Sequence, residues 1–363
     1  MPLCYAMVVP GLETVAAEEI REALDADVKR TSRGIVVFRA PRIDKSLLTL
    51  RTTEDVFLLA WGTDELTYRA GDLEQIRRWT AREAAWDRLL QLHHAIRPKP
   101  KGKPTFRLVV QMRGEHGYRR IDAQKALVRG LAGKLPSGWR HVEEDAAIEI
   151  WLTIQGATAV CGLRLSDRTM RHRRYKLDHL PASLRPTVAA AMVRLAGIAE
   201  RGALTVVDPM CGAGTILAEA TLGRRRSESV GGAHPTSLRV LGGDIDPAAL
   251  RAARANLSRL EPTGLVRWDA RRLPLADARV DRVMCNLPFG VKLEKPADIP
   301  RLYKRVMPEL DRVLCPGGRA VLLAADVGAL QDAVRSLPWK PTRQVRLRVL
   351  GQPATMSVYH KAG

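Results

Sequence analysis

The chain is short of acid. It carries 39 Asp and Glu against 59 Lys and Arg, a formal charge of +20 at pH 7. That balance points to a polyanionic partner, most simply nucleic acid. Cysteine is also sparse. Cys4, Cys161, Cys211, Cys285 and Cys315 form no CxxC pair and no Cys/His metal spacing, which excludes the common zinc modules and leaves no metal expected. An odd, scattered set fits a reducing compartment rather than a disulfide scaffold. No apolar run approaches the roughly 20 residues of a membrane helix, so no membrane partner is expected. There is no GKS or GKT of a phosphate-binding loop and no dinucleotide GxGxxG. The N-terminus lacks a basic region, Pro10 breaks its apolar run, and Glu13, Glu18, Glu19 and Glu22 follow. Neither a signal nor a transit peptide is expected from that pattern. Internal repeats and low-complexity tracts are absent as well.

What is present centres on Leu204–Gly214, LTVVDPMCGAG, and Asn286–Gly290, NLPFG. Leu204–Val207 is a continuous apolar run, as in a strand covered on both faces. Asp208 ends it, Gly212 and Gly214 let the backbone pass close to a ligand, and TILAEA starts a helix. A second strand, LRVLGGDI, ends at Asp244, where an acid suits a ribose diol. A third, GLVRWD, ends at Asp269. A fourth, DRVMC, ends at Asn286 and the turn LPFG. Functional groups at successive strand ends meet in the crevice of a doubly wound sheet. Asp246 precedes Pro247 and an evident helix, which marks it as an N-cap. Cys211 and Cys285 flank these motifs and read as small packing residues.

With 363 residues, 46% of them hydrophobic, two or three domains are expected. Residues 3–9 read as a strand. A helix follows to about Leu24, with Leu12, Val15, Ala16, Ile20 and Leu24 at helical spacing. Residues 34–39 form a strand, and residues 46–62 a helix entering a third, making a small α+β unit. Gly71–Ile96 reads as one long helix with Leu73, Ile76, Trp79, Leu89 and Ile96 toward the core. Residues 97–107, RPKPKGKPTFR, hold five basic residues and three prolines with no acid. They read as a positive loop with Lys99, Lys101, Lys103 and Arg107. The turn RGEHGYRR follows a strand, and its Arg113, His116, Tyr118, Arg119 and Arg120 are groups that stack on bases or pair with phosphates. Next come a helix and a hairpin about Gln155–Gly156. Residues 168–176, RTMRHRRYK, with Arg171, Arg173 and Arg174, read as a basic linker. GRRRSESVGGAHPTS, after the first catalytic helix, reads as an insertion whose three arginines are candidates for RNA. Further on, a helix over 300–314, a CPGG turn, a strand, a short helix and a final hairpin are expected.

Together these motifs resemble the class I S-adenosylmethionine-dependent methyltransferases, and within them the RNA enzymes that act on exocyclic amines. PGLETVAAEEI, LRTTEDVF and the α/β unit after them resemble the ferredoxin-like plus THUMP module that precedes some of those catalytic domains. The resemblance implies an α/β chain. Residues 1–66 would be ferredoxin-like, 67–165 a THUMP RNA-binding domain, 166–180 a basic linker, and 181–363 a Rossmann-like domain of seven strands with the last reversed. It implies that Asp208, Met210, Cys211, Gly212 and Gly214 hold the methionine end of S-adenosyl-L-methionine. It places the ribose on Asp244 with Ile245 beside it, and the adenine on Asp269 and Ala270. The turn Ser183–Arg185 would help close the pocket. Asn286, Leu287, Pro288 and Phe289 take the place of the family's (Asn/Asp)-Pro-Pro-(Tyr/Phe) motif, with Leu287 where the family has proline.

The chemistry suits that motif. An exocyclic amine is a weak nucleophile because its lone pair is conjugated with the ring, and it needs orientation more than a strong base. Asn286 can accept one amine hydrogen and the Leu287 carbonyl the other, while Phe289 stacks on a flipped-out base. The resemblance thus implies guanine-N2 methylation of tRNA by a cytoplasmic monomer, and leaves open a small activating protein partner. The alternatives are a ribosomal RNA guanine-N2 enzyme, a DNA amine methyltransferase, and an RNA-binding protein with a degenerate methyltransferase fold. A cysteine-nucleophile C5 enzyme fits less well, since the target end of the sheet carries Asn286.

Overall fold

The computed structural model describes residues 3–99, 102, 104–181, 183–198, 202–231, 237–260, 264–290 and 298–363, without the side chains of 225–231. Lys101 and Lys103 therefore lie outside the described residues. In chain order the elements begin β1 (Leu3–Val8), α1 (Glu13–Leu24), β2 (Asp27–Ser32), β3 (Ile35–Arg39) and, after a short 3-10 turn, β4 (Thr53–Thr63). Then come α2 (Gly71–Arg82), α3 (Trp86–Ile96), β5 (Thr105–Arg113), α4 (Arg120–Leu131), β6 (Arg140–His141), β7 (Ile148–Gln155), β8 (Thr158–Arg164) and α5 (Arg168–Arg171). The rest is α6 (Pro186–Leu195), β9 (Leu204–Asp208), α7 (Thr215–Gly231), β10 (Leu238–Asp244), α8 (Pro247–Leu257), β11 (Gly264–Arg267), β12 (Val280–Asn286), α9 (Ile299–Val313), β13 (Leu314–Ala324), α10 (Val327–Val334), β14 (Trp339–Val349) and β15 (Gln352–Lys361).

The chain divides into two compact units. The first is Met1–Met7 with Ala17–Met170, the second Val8–Ala16 with Arg171–Gly363. In the first, the described residues form one eight-stranded sheet in the order β2-β3-β1-β4-β8-β7-β5-β6. The sheet runs without a break through both expected N-terminal modules. β2 was not expected: DVKRTS alternates half-buried and exposed residues and offers no apolar run to read. Tyr5 stacks on Phe57 at 4.5 Å, with Trp151 tilted against Phe57. At the rim, Arg164 pairs with buried Asp55 and with Glu149.

The expected long helix over Gly71–Ile96 is two helices, α2 and α3. The Trp86 indole N–H donates to the Thr80 carbonyl at 2.8 Å, which diverts the last turn of α2, and Ala85 leaves the helical region. Ile76, Leu89 and Ile96 are buried as expected, whereas Leu73 and Trp79 are only half-buried. α2 packs against α4 at Gly130. A Cβ there would lie 2.6 Å from Thr80 Cβ and 2.7 Å from the Arg77 carbonyl oxygen.

The second unit carries a seven-stranded sheet in the order β11-β10-β9-β12-β13-β15-β14. β9 pairs parallel with β10 and β12, β12 parallel with β13, and β13 antiparallel with β15. The reversed strand is thus the last in sequence, slotted between β13 and β14. β9 forms because Leu204, Val206 and Val207 are apolar and buried, Val206 and Val207 fully so. α9 is amphipathic: Ile299, Tyr303, Val306, Met307, Leu310 and Val313 recur on one buried face. The expected CPGG turn lies inside β13 as an irregularity opposite Val280–Arg282. The expected insertion is also different. Its first part continues α7 to Gly231, and residues 232–236 lie outside the described residues. Arg224 there is buried and donates to the Ile198 and Gly202 carbonyls, so it faces the fold and not a ligand. No helix among the described residues is long and apolar enough to cross a membrane.

The closeness at Gly130 gives a test of the first unit. Gly130→Val must push α2 away from α4, and overpacking of this kind costs about 1–3 kcal/mol. A lower urea midpoint is expected; an unchanged midpoint would show that the helices do not approach so closely.

Candidate active site

Strand order in the second unit switches direction between β9 and β12. β10 and β11 lie to one side of β9 and β12 and β13 to the other, so the carboxyl ends of β9 and β12 open a crevice. Asp208, Asp244 and Asn286 end three adjacent strands there.

The glycine turn follows β9. Gly212 has φ +51, and open space lies where its side chain would be. Gly214, at φ +72, instead lets α8 come close: a Cβ would meet Ala253 Cβ at 3.2 Å. Asp244 holds the turn from β10. One of its oxygens accepts from Gly212 N at 2.9 Å, the other from Asp246 N at 3.0 Å. The Cys211 amide donates to the Gly243 carbonyl. Asp246 itself accepts from Ala248 N and caps α8. Ile245, between the two acids, is 59% exposed.

Asp208 is only 1% exposed and accepts from Met210 N at 3.2 Å. Burial pushes its carboxyl up to about 8, and the charge of Asp244 adds to the rise, against the pull of the Met210 N–H. Burial likewise pushes the Cys211 and Cys285 thiols up, Cys285 well above the ordinary range, with both acids adding to it. Neither sulfur is a ready nucleophile, which sets aside C5 chemistry. Asp269 follows β11. Its carboxylate is held by Arg271 Nε at 2.9 Å, and that bond keeps it below the usual carboxylate range. An adenine amine would share the carboxylate with Arg271. Ala270 beside it is buried.

At the end of β12 the Asn286 side-chain oxygen is buried and has no hydrogen-bond partner among the described residues. Leu287 N donates to the Leu323 carbonyl on β13, and Tyr303 donates its hydroxyl to the Pro288 carbonyl at 2.9 Å. The turn is therefore fixed from two sides although Leu287 replaces the second proline. Phe289 lines a cleft of about 420 Å³ with Ile299, Ala325, Asp326 and Val327, a volume suited to a planar base.

Part of the segment read as a basic linker is bound down onto the second unit. The Arg173 guanidinium pairs with Glu219 of α7 at 3.1 Å, its side chain only 8% exposed, and Tyr175 donates its hydroxyl to the same carboxylate at 2.7 Å. The expectation of Arg173 as an RNA contact is corrected on that ground: a buried acid that would otherwise be unpaired claims it. Sequence reasoning missed Asn256. It is 1% exposed on α8, accepts from Leu177 N and Asp178 N, and donates to the Asp178 and Ala213 carbonyls. It thus joins the former linker to the glycine turn. The Ser183 hydroxyl lies 3.5 Å from that of Thr215, at the start of α7. Lys176 Nζ donates to the Leu184 carbonyl, and burial lowers its pKa to about 8. Arg185 is exposed at the N-cap of α6.

A family model described as RMKL-like, methyltransferase domain, matches residues 173–352. The tRNA (guanine(6)-N2)-methyltransferase of Thermus thermophilus is 32% identical over 243 residues, 65% of this chain and 67% of its own length. The chain belongs to the THUMP-containing RNA guanine-N2 methyltransferases. Members of this family use S-adenosylmethionine. The crystal structure of TrmN from Thermus thermophilus matches at a TM-score of 0.77 and 26% identity, covering 99% of this chain and 100% of that one. The mouse U6 snRNA (guanine-N(2))-methyltransferase THUMPD2 is 32% identical over 61% of this chain but only 39% of its own length.

The cofactor fits what is seen. Gly212 opens onto free space, Asp244 is half-exposed, Ile245 offers an apolar surface, and Asn286, at the end of the neighbouring strand β12, carries a buried acceptor with no partner among the described residues. Lys99, Arg113, Arg119, Arg120 and Arg174 are exposed, and Arg107 and Arg171 half-buried. Tyr118 is buried, its hydroxyl 3.4 Å from Asp72, and so is removed from the base-stacking candidates.

Two tests follow from this geometry. Asp244→Ala removes a charged acceptor worth about 1.5–3 kcal/mol, so calorimetry should show S-adenosylmethionine binding about ten- to a hundredfold weaker. Full affinity in a folded variant would remove Asp244 from the ribose role. Asp208 keeps its proton in the folded chain to about pH 8, while an unfolded Asp loses it near pH 3.9. Its contribution to stability should therefore fall between those values and be flat above them. Asp208→Asn should make the cofactor-free protein's melting temperature less dependent on pH across that window; an unaltered profile would contradict the buried neutral acid.

Proposed function

We propose that the chain transfers a methyl group to the N2 amine of a guanine in tRNA. The observation that carries this reading is the Asn286 oxygen, buried and unpaired at the end of β12. A buried acceptor without a donor is costly in the resting fold and gains when an amine N–H arrives. S-adenosylmethionine, when bound, supplies an electrophilic methyl on sulfonium sulfur. The chain supplies orientation. Asp208–Gly214, Asp244 with Ile245, and Asp269 with Ala270 would hold the cofactor, while Ser183–Arg185 border the start of α7. Asn286 accepts one hydrogen of the target amine and the Leu287 carbonyl the other, which turns the nitrogen lone pair toward the methyl. Phe289 backs the base in the cleft. Asn286 carries no charge and is no base, so the amine loses its proton to water after transfer.

Residues 1–66 and 67–165 would act as the ferredoxin-like and THUMP modules that capture RNA, joined by 166–180 to the catalytic domain at 181–363. Lys99, Lys101, Lys103, Arg107, Arg113, Arg119, Arg120, Arg171 and Arg174 would contribute phosphate contacts, in keeping with the +20 charge. The enzyme would work in the cytoplasm as a monomer. The likeness to a U6 snRNA enzyme supports a second reading in which the substrate is another structured RNA.

The test is single-turnover methyl transfer to a panel of RNAs, with the modified nucleoside identified by mass spectrometry. Asn286→Ala should spare cofactor and RNA binding and slow transfer about 10²–10³-fold, the usual loss for one preorganised polar contact. Asn286→Asp keeps an acceptor and should retain substantial activity. A methyl group found on a base carbon or on ribose would overturn the mechanism, and transfer to U6 or ribosomal RNA but not tRNA would move the substrate.

A further inference from the structure

We propose that Tyr68 and His116, in the first unit, form a stacking platform for an unpaired base of the RNA substrate. The inference rests on the RNA-modifying reading above and adds a site to it.

Tyr68 is a bulky residue in the left-handed region, at φ 66. Such a conformation is strained for any side chain but glycine and persists where surrounding contacts impose it. Here the Tyr68 carbonyl accepts from Gly117 N at 2.7 Å. Its ring stacks on His116, with centroids 5.0 Å apart and planes at 28°. His116 is fixed in turn. Its two ring nitrogens lie 3.1 Å and 3.3 Å from the carbonyls of Gly156 and Gly114, one in the β7–β8 hairpin turn and one after β5. The Tyr118 ring lies tilted against it at 5.2 Å, and the Tyr118 hydroxyl reaches buried Asp72. Asp72 also accepts from Thr67 N and the Thr67 hydroxyl, just ahead of Tyr68. Three chain segments thus hold one aromatic pair rigid, and yet Tyr68 remains 44% exposed.

A ring held in a strained backbone and left open to water is poor value as packing. It is pre-organised for a flat partner, and stacking on a fixed ring avoids the ordering cost a mobile side chain would bring. The surroundings choose the partner. Arg69, Arg113, Arg119 and Arg120 are exposed on the same loops; the acids there are Asp64, Glu65 and Glu115, and Asp122 pairs with Arg119. A π-face with arginines on the adjoining loop segments matches a nucleobase with its phosphates, and only an unpaired base can leave its stack to lie there. These residues belong to the first unit, and the cleft at Phe289 to the second.

The full-length protein would be titrated by fluorescence anisotropy with a labelled unstructured RNA oligonucleotide and with a duplex of matched length. Tyr68→Ala should weaken single-strand binding about tenfold, since one base stack contributes roughly that much or more. It should leave duplex binding and the salt slope unchanged, because stacking releases no counterions. Tyr68→Phe should restore single-strand affinity. Arg113→Ala should do the reverse of Tyr68→Ala, lowering the salt slope and weakening both ligands alike. If Tyr68→Ala lowers the melting temperature, His116→Ala, which removes only the backing ring, carries the same expectation for the single strand. Wild-type affinity for the single strand in Tyr68→Ala, or equal losses on single strand and duplex, would overturn the platform while leaving RNA binding intact. A wild-type protein that binds neither RNA would overturn the RNA-binding reading itself.

Discussion

The glycine turn after β9 keeps its shape because two side chains grip its backbone from opposite neighbours. Asp244, from β10, takes the Gly212 N–H, and Asn256, from α8, takes the Ala213 carbonyl. Much else in the catalytic unit depends on that grip. Gly212 can stay open to a ligand only because its amide is already directed, and Gly214 can stay bare only because α8 packs on it. Asp244 therefore carries two duties, holding the turn and presenting a carboxylate beside Ile245. Its own charge helps keep the buried Asp208 in its acid form. The site thus combines a charged acid at the rim with a neutral one beneath it. That division suits a pocket meant to receive a cationic cofactor without burying two negative charges.

The parts legible in the sequence are those whose cause is local. Four strands ending in Asp208, Asp244, Asp269 and Asn286 could be read because each couples an apolar run to a polar stop. The α8 cap at Asp246 could be read because Pro247 follows it. What stayed hidden depends on partners far along the chain. Asn256 is one more polar residue on a helix until Leu177, Asp178 and Ala213 surround it. Arg173 looked like a free cation in a basic run, and only Glu219, 46 residues on, shows otherwise. The break between α2 and α3 turns on one indole reaching back to Thr80. β2 has no apolar periodicity of its own and exists because β3 offers it an edge.

Charge shows the same division. The basic excess is a property of composition, but its meaning differs from one position to the next. Arg164, Arg173 and Arg224 are spent inside the fold on carboxylates and carbonyls, whereas Arg119, Arg120 and Arg174 stay at the surface. Net charge alone therefore overstates the number of groups free to meet a polyanion.

The packing of β14 and β15 bears on how the catalytic unit is made. Val9, Leu12 and Val15, near the start of the chain, share one buried cluster with Val345, Leu347, Val349, Met356 and Val358, near its end. Gly11 lies so close to the Arg346 carbonyl that no side chain would fit between them. β15 also sits between β13 and β14, so β13 keeps an unpaired edge until residues 352–361 have been synthesised. Val9, Leu12 and Val15 must wait for these distant partners, and loops that long close slowly. The edge of β13 therefore stays open from Ala324 until Gln352 and the residues after it arrive, and an open edge of that kind is exposed to mispairing.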